Sequence, residues 1–325
     1  RPRGVDAYVA FRLMDDPTLQ VGDLLNDYFT RMYGPAGEPM KQMYLALEKT
    51  YCDPELRPRG ESGPAVAWGY LGTEERMAEW QALLDEAKRK AETDLQKRRI
   101  AAFERGIWSY MTVGREKYME RMTAPIPTVS VPKLAAAGGD PGKVNWESAA
   151  SLPGSWYDRG GATPSKRSYA ARVAHDGEYL YLELTDKCDP DKLIISGNVF
   201  PFDDWEVFVA KQRAQPYRQY SSGPSGLTVA TSWGEIDWRP NMPITDSKFK
   251  VVSDTSAPDE WVTHMVWPLD DIVVGGREPG ESLYMNIIRV LSPGLGGQSP
   301  YGIDTWISHC TVHEVDRLGE LKLEK

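Results

Sequence analysis

The sequence predicts an α+β multidomain protein, an N-terminal all-α helical bundle followed by a C-terminal antiparallel β-sandwich, on three observations. Apolar residues recur at steps of three and four as far as Met122. A stretch rich in Pro and Gly then spans residues 123–142. Beyond it the apolar period shortens to two. The expected division is a helical domain over 1–122, a linker over 123–142 and a sandwich over 143–325. At 325 residues the chain is long enough for two cores of ordinary size.

The helices follow in order. Val21–Tyr33 places Val21, Leu24, Leu25, Tyr28, Phe29 and Met32 on one stripe, and Gly34-Pro35 stops it. Residues 36–51 repeat the pattern with Met40, Met43, Tyr44 and Leu47 before Asp53-Pro54. Pro and Gly make residues 54–72 an irregular stretch. Thr73 reads as an N-cap, with Glu74 and Glu75 in the first turn of a helix carrying Met77, Trp80, Leu83, Leu84 and Ala87. Ile100, Phe103, Ile107, Tyr110, Met111, Gly114 and Tyr118 mark the last helix.

The β half opens with a hairpin signal. Tyr169–Val173 and Tyr179–Leu184 flank an Asp176-Gly177 turn. Further strands are expected at 205–209, 227–232, 249–252, 261–267, 283–290 and 318–323, with turn-rich spacers and no long helix between them.

Composition narrows the function. The net charge of −9 argues against nucleic acid or an anionic membrane as partner, and no apolar run is long enough to span a bilayer. Residues 1–124 are near neutral, with 19 basic and 20 acidic side chains, so the β half holds almost all the acidity. That excess suits calcium or polyol binding, or simply a solvated acidic surface. Three cysteines far apart, with no CxxC pair, argue against a disulfide scaffold or a structural zinc site and allow at most one bridge. The 34 aromatics, 11 of them Trp, suit a sandwich core or a sugar-stacking surface. The chain begins at Arg with no apolar segment behind it, and is expected to be a processed product or a fragment.

Catalytic motifs are missing: no GxSxG, no phosphate-binding GxxxxGK, no HExxH and no dinucleotide fingerprint. No catalytic residue and no metal site is assigned. His309 and His313 have a four-residue spacing, but they sit in a loop or strand sequence with no further ligands nearby. The acidic cluster Asp186, Asp189 and Asp191 is compatible with a structural calcium at a strand end, without an EF-hand pattern. A hydrolase would need two carboxyls facing each other across a sugar. In Asp203-Asp204-Trp205-Glu206-Val207-Phe208-Val209, alternation puts Trp205, Val207 and Val209 on one face and Asp204, Glu206 and Phe208 on the other. If the first face is core, the second offers a carboxylate beside an aromatic, a combination that grips sugars. The alternative is that Phe208 is in the second sheet's core and Glu206 pairs with a nearby Arg.

The segments AHDGEYLYLELTD, DDWEVFVA, PYRQYSSGPSG, YMNIIRV and HEVDRLGELKLE resemble the family 9 carbohydrate-binding modules. The segment DAYVAFRLMDDPTLQVGDLLNDYFTRMYGPAGEPMKQMYLALEKTY resembles the region after the catalytic barrel in uncharacterised proteins similar to α-glucuronidases. Together these resemblances imply the non-catalytic C-terminal part of a secreted or periplasmic bacterial glycoside hydrolase. Its partners would be an oligo- or polysaccharide and an upstream catalytic barrel. They imply that Phe200 stacks on the sugar, that Glu206 and Asn286 bond its hydroxyls, and that Arg218, Gln219 and Arg289 offer further polar contacts. Two positions depart from the family pattern: the second clamp Trp falls at Val312, beside His313, and the family arginine falls near Ser221, close to Arg218. The alternative role is a scaffold that has lost its sugar and packs on a barrel or in an oligomer.

Overall fold

The computed structural model describes residues 4–56, 63–159, 161–200, 202–236, 239–278, 280–297 and 302–325. It divides into two compact units, Arg1–Thr123 and Ala124–Lys325. An all-α unit is thus followed by an antiparallel-rich β-sandwich, the predicted fold class.

The first unit holds α1 (Gly4–Asp15), α2 (Val21–Tyr33), α3 (Gly37–Cys52), α4 (Glu74–Lys90), α5 (Asp94–Phe103) and α6 (Ser109–Thr123). Thr73 caps α4 by accepting from the Arg76 amide, and Thr93 forms a reciprocal capping box with Gln96 at α5. The buried stripe unites Phe29, Tyr33, Met40, Met43, Trp80, Leu84, Ile100, Phe103 and Met111. Val21, expected on the stripe, is exposed at the first turn of α2. The irregular stretch expected over 54–72 is partly helical. Ala65–Leu71 forms a π-helical segment that buries Val66, Trp68 and Leu71, because an apolar cluster that large outweighs its flanking glycines. Residues 57–62 of that stretch lie outside the described residues. Gly114 on α6 lets the chain approach this segment, since a Cβ there would meet Trp68 Cζ2 at 2.3 Å.

The second unit carries fourteen strands among the described residues. They are β1 (Thr128–Val131), β2 (Ala150–Ser151), β3 (Tyr157–Asp158), β4 (Tyr169–His175), β5 (Tyr179–Asp186), β6 (Asp204–Ala210) and β7 (Tyr217–Ser222). Then follow β8 (Thr228–Ile236), β9 (Arg239–Pro243), β10 (Lys250–Asp254), β11 (Trp261–Pro268), β12 (Leu283–Leu291), β13 (Gly302–Thr305) and β14 (Gly319–Leu323). One sheet runs β1-β14-β12-β6-β7-β8-β9, with β13 and β3 branching from β12; the other runs β10-β11-β5-β4-β2. Gly177, at φ 97°, turns the β4–β5 hairpin where the Asp-Gly pair predicts it.

The stretch 123–142 differs from its expectation as a linker. It supplies β1, which pairs in parallel with β14 and buries Val129 and Val131. The alternating valines decide the conformation despite the prolines around them, because an open sheet edge rewards any strand that covers it. Between the sheets lies a core built from Leu180, Leu182 and Leu184, Trp205, Val207 and Val209, Trp261, Met265 and Trp267, and Met285 and Ile287. A smaller apolar cluster covers the outer face of the larger sheet, joining Phe208, Ala210, Tyr217, Ile288, Val290 and Leu318.

Candidate functional site

Parity along three adjacent strands builds the site. On β6, Trp205, Val207 and Val209 enter the core, so Asp204, Glu206 and Phe208 project from the outer face. On β7 the outward set is Tyr217, Gln219 and Ser221. The pairing register places Gln219 opposite Phe208 and Thr231, and Tyr217 opposite Trp233. The result is a cavity of about 420 Å³ lined by Phe200, Asp204, Glu206, Gln219, Thr231, Trp233, Asn241, Val290, Ile303, Val312 and His313.

Its polar floor is wired to its aromatic wall. Trp233 Nε1 donates to Gln219 Oε1 at 3.0 Å, which leaves the Gln219 amide to donate to Glu206. Trp233 stacks in parallel on Tyr217 at 6.0 Å and meets the His313 ring at 4.2 Å. The Tyr217 hydroxyl and His313 Nδ1 are hydrogen-bonded at 2.8 Å, and Phe208 meets the same imidazole edge-on. An indole held by two rings and one amide is a preorganised stacking platform. Phe200 stands at the rim, 39% exposed.

The two acids are the unusual feature. Asp204 is fully buried and, among the described residues, neither of its carboxyl oxygens has a hydrogen-bond partner. Burial, with the Glu206 carboxyl beside it, pushes Asp204 well above the usual carboxylate range, although Arg289 behind the sheet opposes this. Burial pushes Glu206 up to about 7 against the lowering effect of Gln219. Burial also lowers His313, which keeps its imidazole neutral. Asp204 and Glu206 stand two residues apart on one strand, so both face the cavity from the same side.

Phe200, Glu206 and Gln219 are therefore brought together in one cavity, and three other expected contacts lie elsewhere. Arg218 has the opposite parity to Gln219 and reaches Asp271 Oδ1 at 3.0 Å, beside the Tyr220 hydroxyl. Asn286 shares the outer face with Phe208, but it is closed over, donating to Thr305 Oγ1 at 3.0 Å and contacting Cys310. Arg289 points into the core, where it binds Asp186 Oδ2 at 2.9 Å and Asp203 Oδ1 at 3.1 Å. Trp233, Asn241, Thr231 and Asp204 were not singled out as sugar contacts from the sequence. The usable signal for Trp233 was its place on β8 in register with the β7 segment that carries Gln219.

No group of three or more His, Cys, Asp or Glu side chains gathers to hold a metal among the described residues. The cluster considered for calcium is used otherwise. Asp186 is neutralised by Arg289 and Arg167, and Asp189 caps a turn through the Asp191 amide and pairs with Lys192. These residues do not fit a calcium ion, which takes six or more oxygens. A larger cavity, about 1000 Å³, is lined by Lys133, His175, Glu178, Tyr179, Lys248, Arg277 and other residues. No helix among the described residues is long and apolar enough to cross a membrane.

No protein-family model matches the chain, and no curated protein does. Among solved structures, it is similar to a Bacteroides uniformis protein proposed to bind carbohydrate, at 14% identity and TM-score 0.45, over 62% of this chain and 100% of that one. It is also similar to a family 9 carbohydrate-binding module from Caldicellulosiruptor kristjanssonii. In complex with cellotriose that module matches at 12% identity and TM-score 0.42, over 61% of this chain and 93% of that one. In complex with glucose the values are 13% and 0.41, over 61% and 95%. What the site does here follows from its own geometry.

Proposed function

We propose that the β-sandwich binds carbohydrate in the cavity between Phe200, Glu206 and Trp233. The observation that carries this reading is the chain of contacts from the Trp233 indole through Gln219 to the buried Glu206 carboxyl. A pyranose presents an apolar C–H face and a ring of hydroxyls, and the cavity offers a held indole for the first and carboxyl and amide groups for the second. Phe200, at the rim, closes on the exposed side of the ring. Asn241 and Thr231 supply further polar contacts from β9 and β8.

The resemblance of residues 6–51 to the post-barrel region of α-glucuronidase-like enzymes supports a wider reading. In it the chain is the non-catalytic region of a secreted or periplasmic glycan-degrading enzyme and keeps the polysaccharide near an upstream catalytic barrel. The test is a glycan array with the full chain, followed by calorimetric titration of each hit. Retention of a defined oligosaccharide, lost in Glu206→Ala and in Trp233→Ala with the circular dichroism spectrum unchanged, supports the reading. No retention of any glycan would make the sandwich a scaffold.

A further inference from the structure

The cavity has two buried acids and no basic side chain to meet them: among its described lining residues there is neither Lys nor Arg. Resting on the carbohydrate reading, we infer that its preferred ligands are amine-bearing sugars, oligomers of hexosamine type, whose ammonium group sits against Asp204 and Glu206.

Asp204 is the first ground. Its carboxyl is fully buried, lines the cavity and has both oxygens without a partner among the described residues. A buried polar group left unpaired costs on the order of 1–3 kcal/mol, more if charged, so an orphaned carboxyl at the wall of a cavity marks where a ligand group completes it. The second ground is the surroundings. Ser221, opposite Glu206 in the β6–β7 register, is buried with its hydroxyl unpartnered, at the position where the resemblance would put an arginine. The charged and titratable groups around the pair are few. Gln219 faces it from β7 and neutral His313 from the covering loop, while Arg289 and Asp203 act from behind the sheet, already paired with each other.

The third ground separates an organic cation from a metal. Among the described residues no group of three or more His, Cys, Asp or Glu side chains gathers to hold a metal, and Gln219 Oε1 is already taken by the Trp233 indole. The walls are instead Trp233, Phe200 and His313, and an aromatic face within about 6 Å attracts an ammonium group. Burial raises both acids, Glu206 to about 7, so in the free chain they hold protons into the neutral range. An amino sugar instead draws both acids into their ionised form, so its binding expels protons near neutral pH.

The test is calorimetric titration of the full chain with three β-1,4-linked tetramers, of glucosamine, of N-acetylglucosamine and of glucose, in buffers of different ionisation enthalpy. The glucosamine tetramer is expected to bind at least about tenfold tighter than either neutral tetramer, equal to ~1.4 kcal/mol. Its observed heat should track the buffer, reporting proton release, and Asp204→Asn should shrink the advantage. Equal or weaker binding of the glucosamine tetramer while a neutral tetramer binds overturns this inference and leaves the carbohydrate reading standing. No binding by any of the three, nor by any sugar on the array, overturns both.

Discussion

Arg289 on β12 and Asp186 on β5 form an ion pair at 2.9 Å with both side chains fully buried, and so tie one sheet of the sandwich to the other. Asp203, just ahead of β6, holds the same guanidinium at 3.1 Å and also accepts from the Ile194 and Ser292 amides. Trp261 and Trp205 pack over it, the nearer centroid at 4.8 Å. Such a pair adds little net stability over a well-packed apolar substitute, but breaking it leaves uncompensated charge in the core. Arg289→Ala should therefore cost about 3–5 kcal/mol in urea unfolding. The fraction that stays folded should keep wild-type sugar affinity, because Arg289 does not line the cavity.

The stability contributed by the acids in the cavity should fall as pH rises toward neutrality. Glu206 in the folded chain is raised to about 7, so between the ordinary glutamate value and that point the native state holds a proton that the unfolded state has lost. Its contribution is complete in acid and lost as pH rises through about 7, and Asp204 acts in the same direction. The limiting slope for one such group is about 1.4 kcal/mol per pH unit. His175 and His313, both lowered by burial, act in the opposite sense, so the acid contribution is read as the difference in urea midpoints between wild type and Glu206→Gln across this range, which should shrink as pH rises through about 7.

The sandwich should need residues 124–142. A chain starting at Ala124 retains β1 and is expected to unfold cooperatively. One starting at Lys143 loses the β1–β14 pairing and the burial of Val129 and Val131, each worth about 1.5–3 kcal/mol. It also loses Ala137, packed with Tyr181 and Val266, and the Gly139 amide bond to the Tyr181 hydroxyl at 2.9 Å. Thermal melting should place the shorter chain far below the longer, and equal melting temperatures would return 124–142 to the status of a linker.

Trp233→Ala should weaken oligosaccharide binding by at least about tenfold, and Phe200→Ala by less. The indole is fixed by Tyr217, His313 and Gln219, whereas Phe200 stands 39% exposed at the rim and loses more freedom on binding. Titration of both variants against one glycan settles their order.

The fold was legible wherever period and turn chemistry agreed, as in the Asp176-Gly177 hairpin and the Thr73 cap. Alternation also placed the two faces of β6, hence Asp204 and Glu206 outside the core. The rest of the cavity was less accessible, because Trp233, Asn241 and His313 reach it from strands and a loop far apart in sequence. Their meeting depends on strand order, which no local pattern encodes. Arg289 shows the limit of reading charge as exposure. Its parity with Met285 and Ile287 points inward, and only the two aspartates delivered by β5 and the start of β6 make that position tenable. Asn286 has the outward parity, yet Thr305 and the loop carrying Cys310 fold over it.

The measurement that tests the central claim most directly is calorimetric titration of a glycan-array hit into the wild-type chain and into Trp233→Ala and Glu206→Ala. Saturable binding by the wild type, lost or weakened at least about tenfold in both variants while their folded spectra persist, is the predicted result. Binding that survives both substitutions unchanged would place the sugar elsewhere on the molecule and contradict the account.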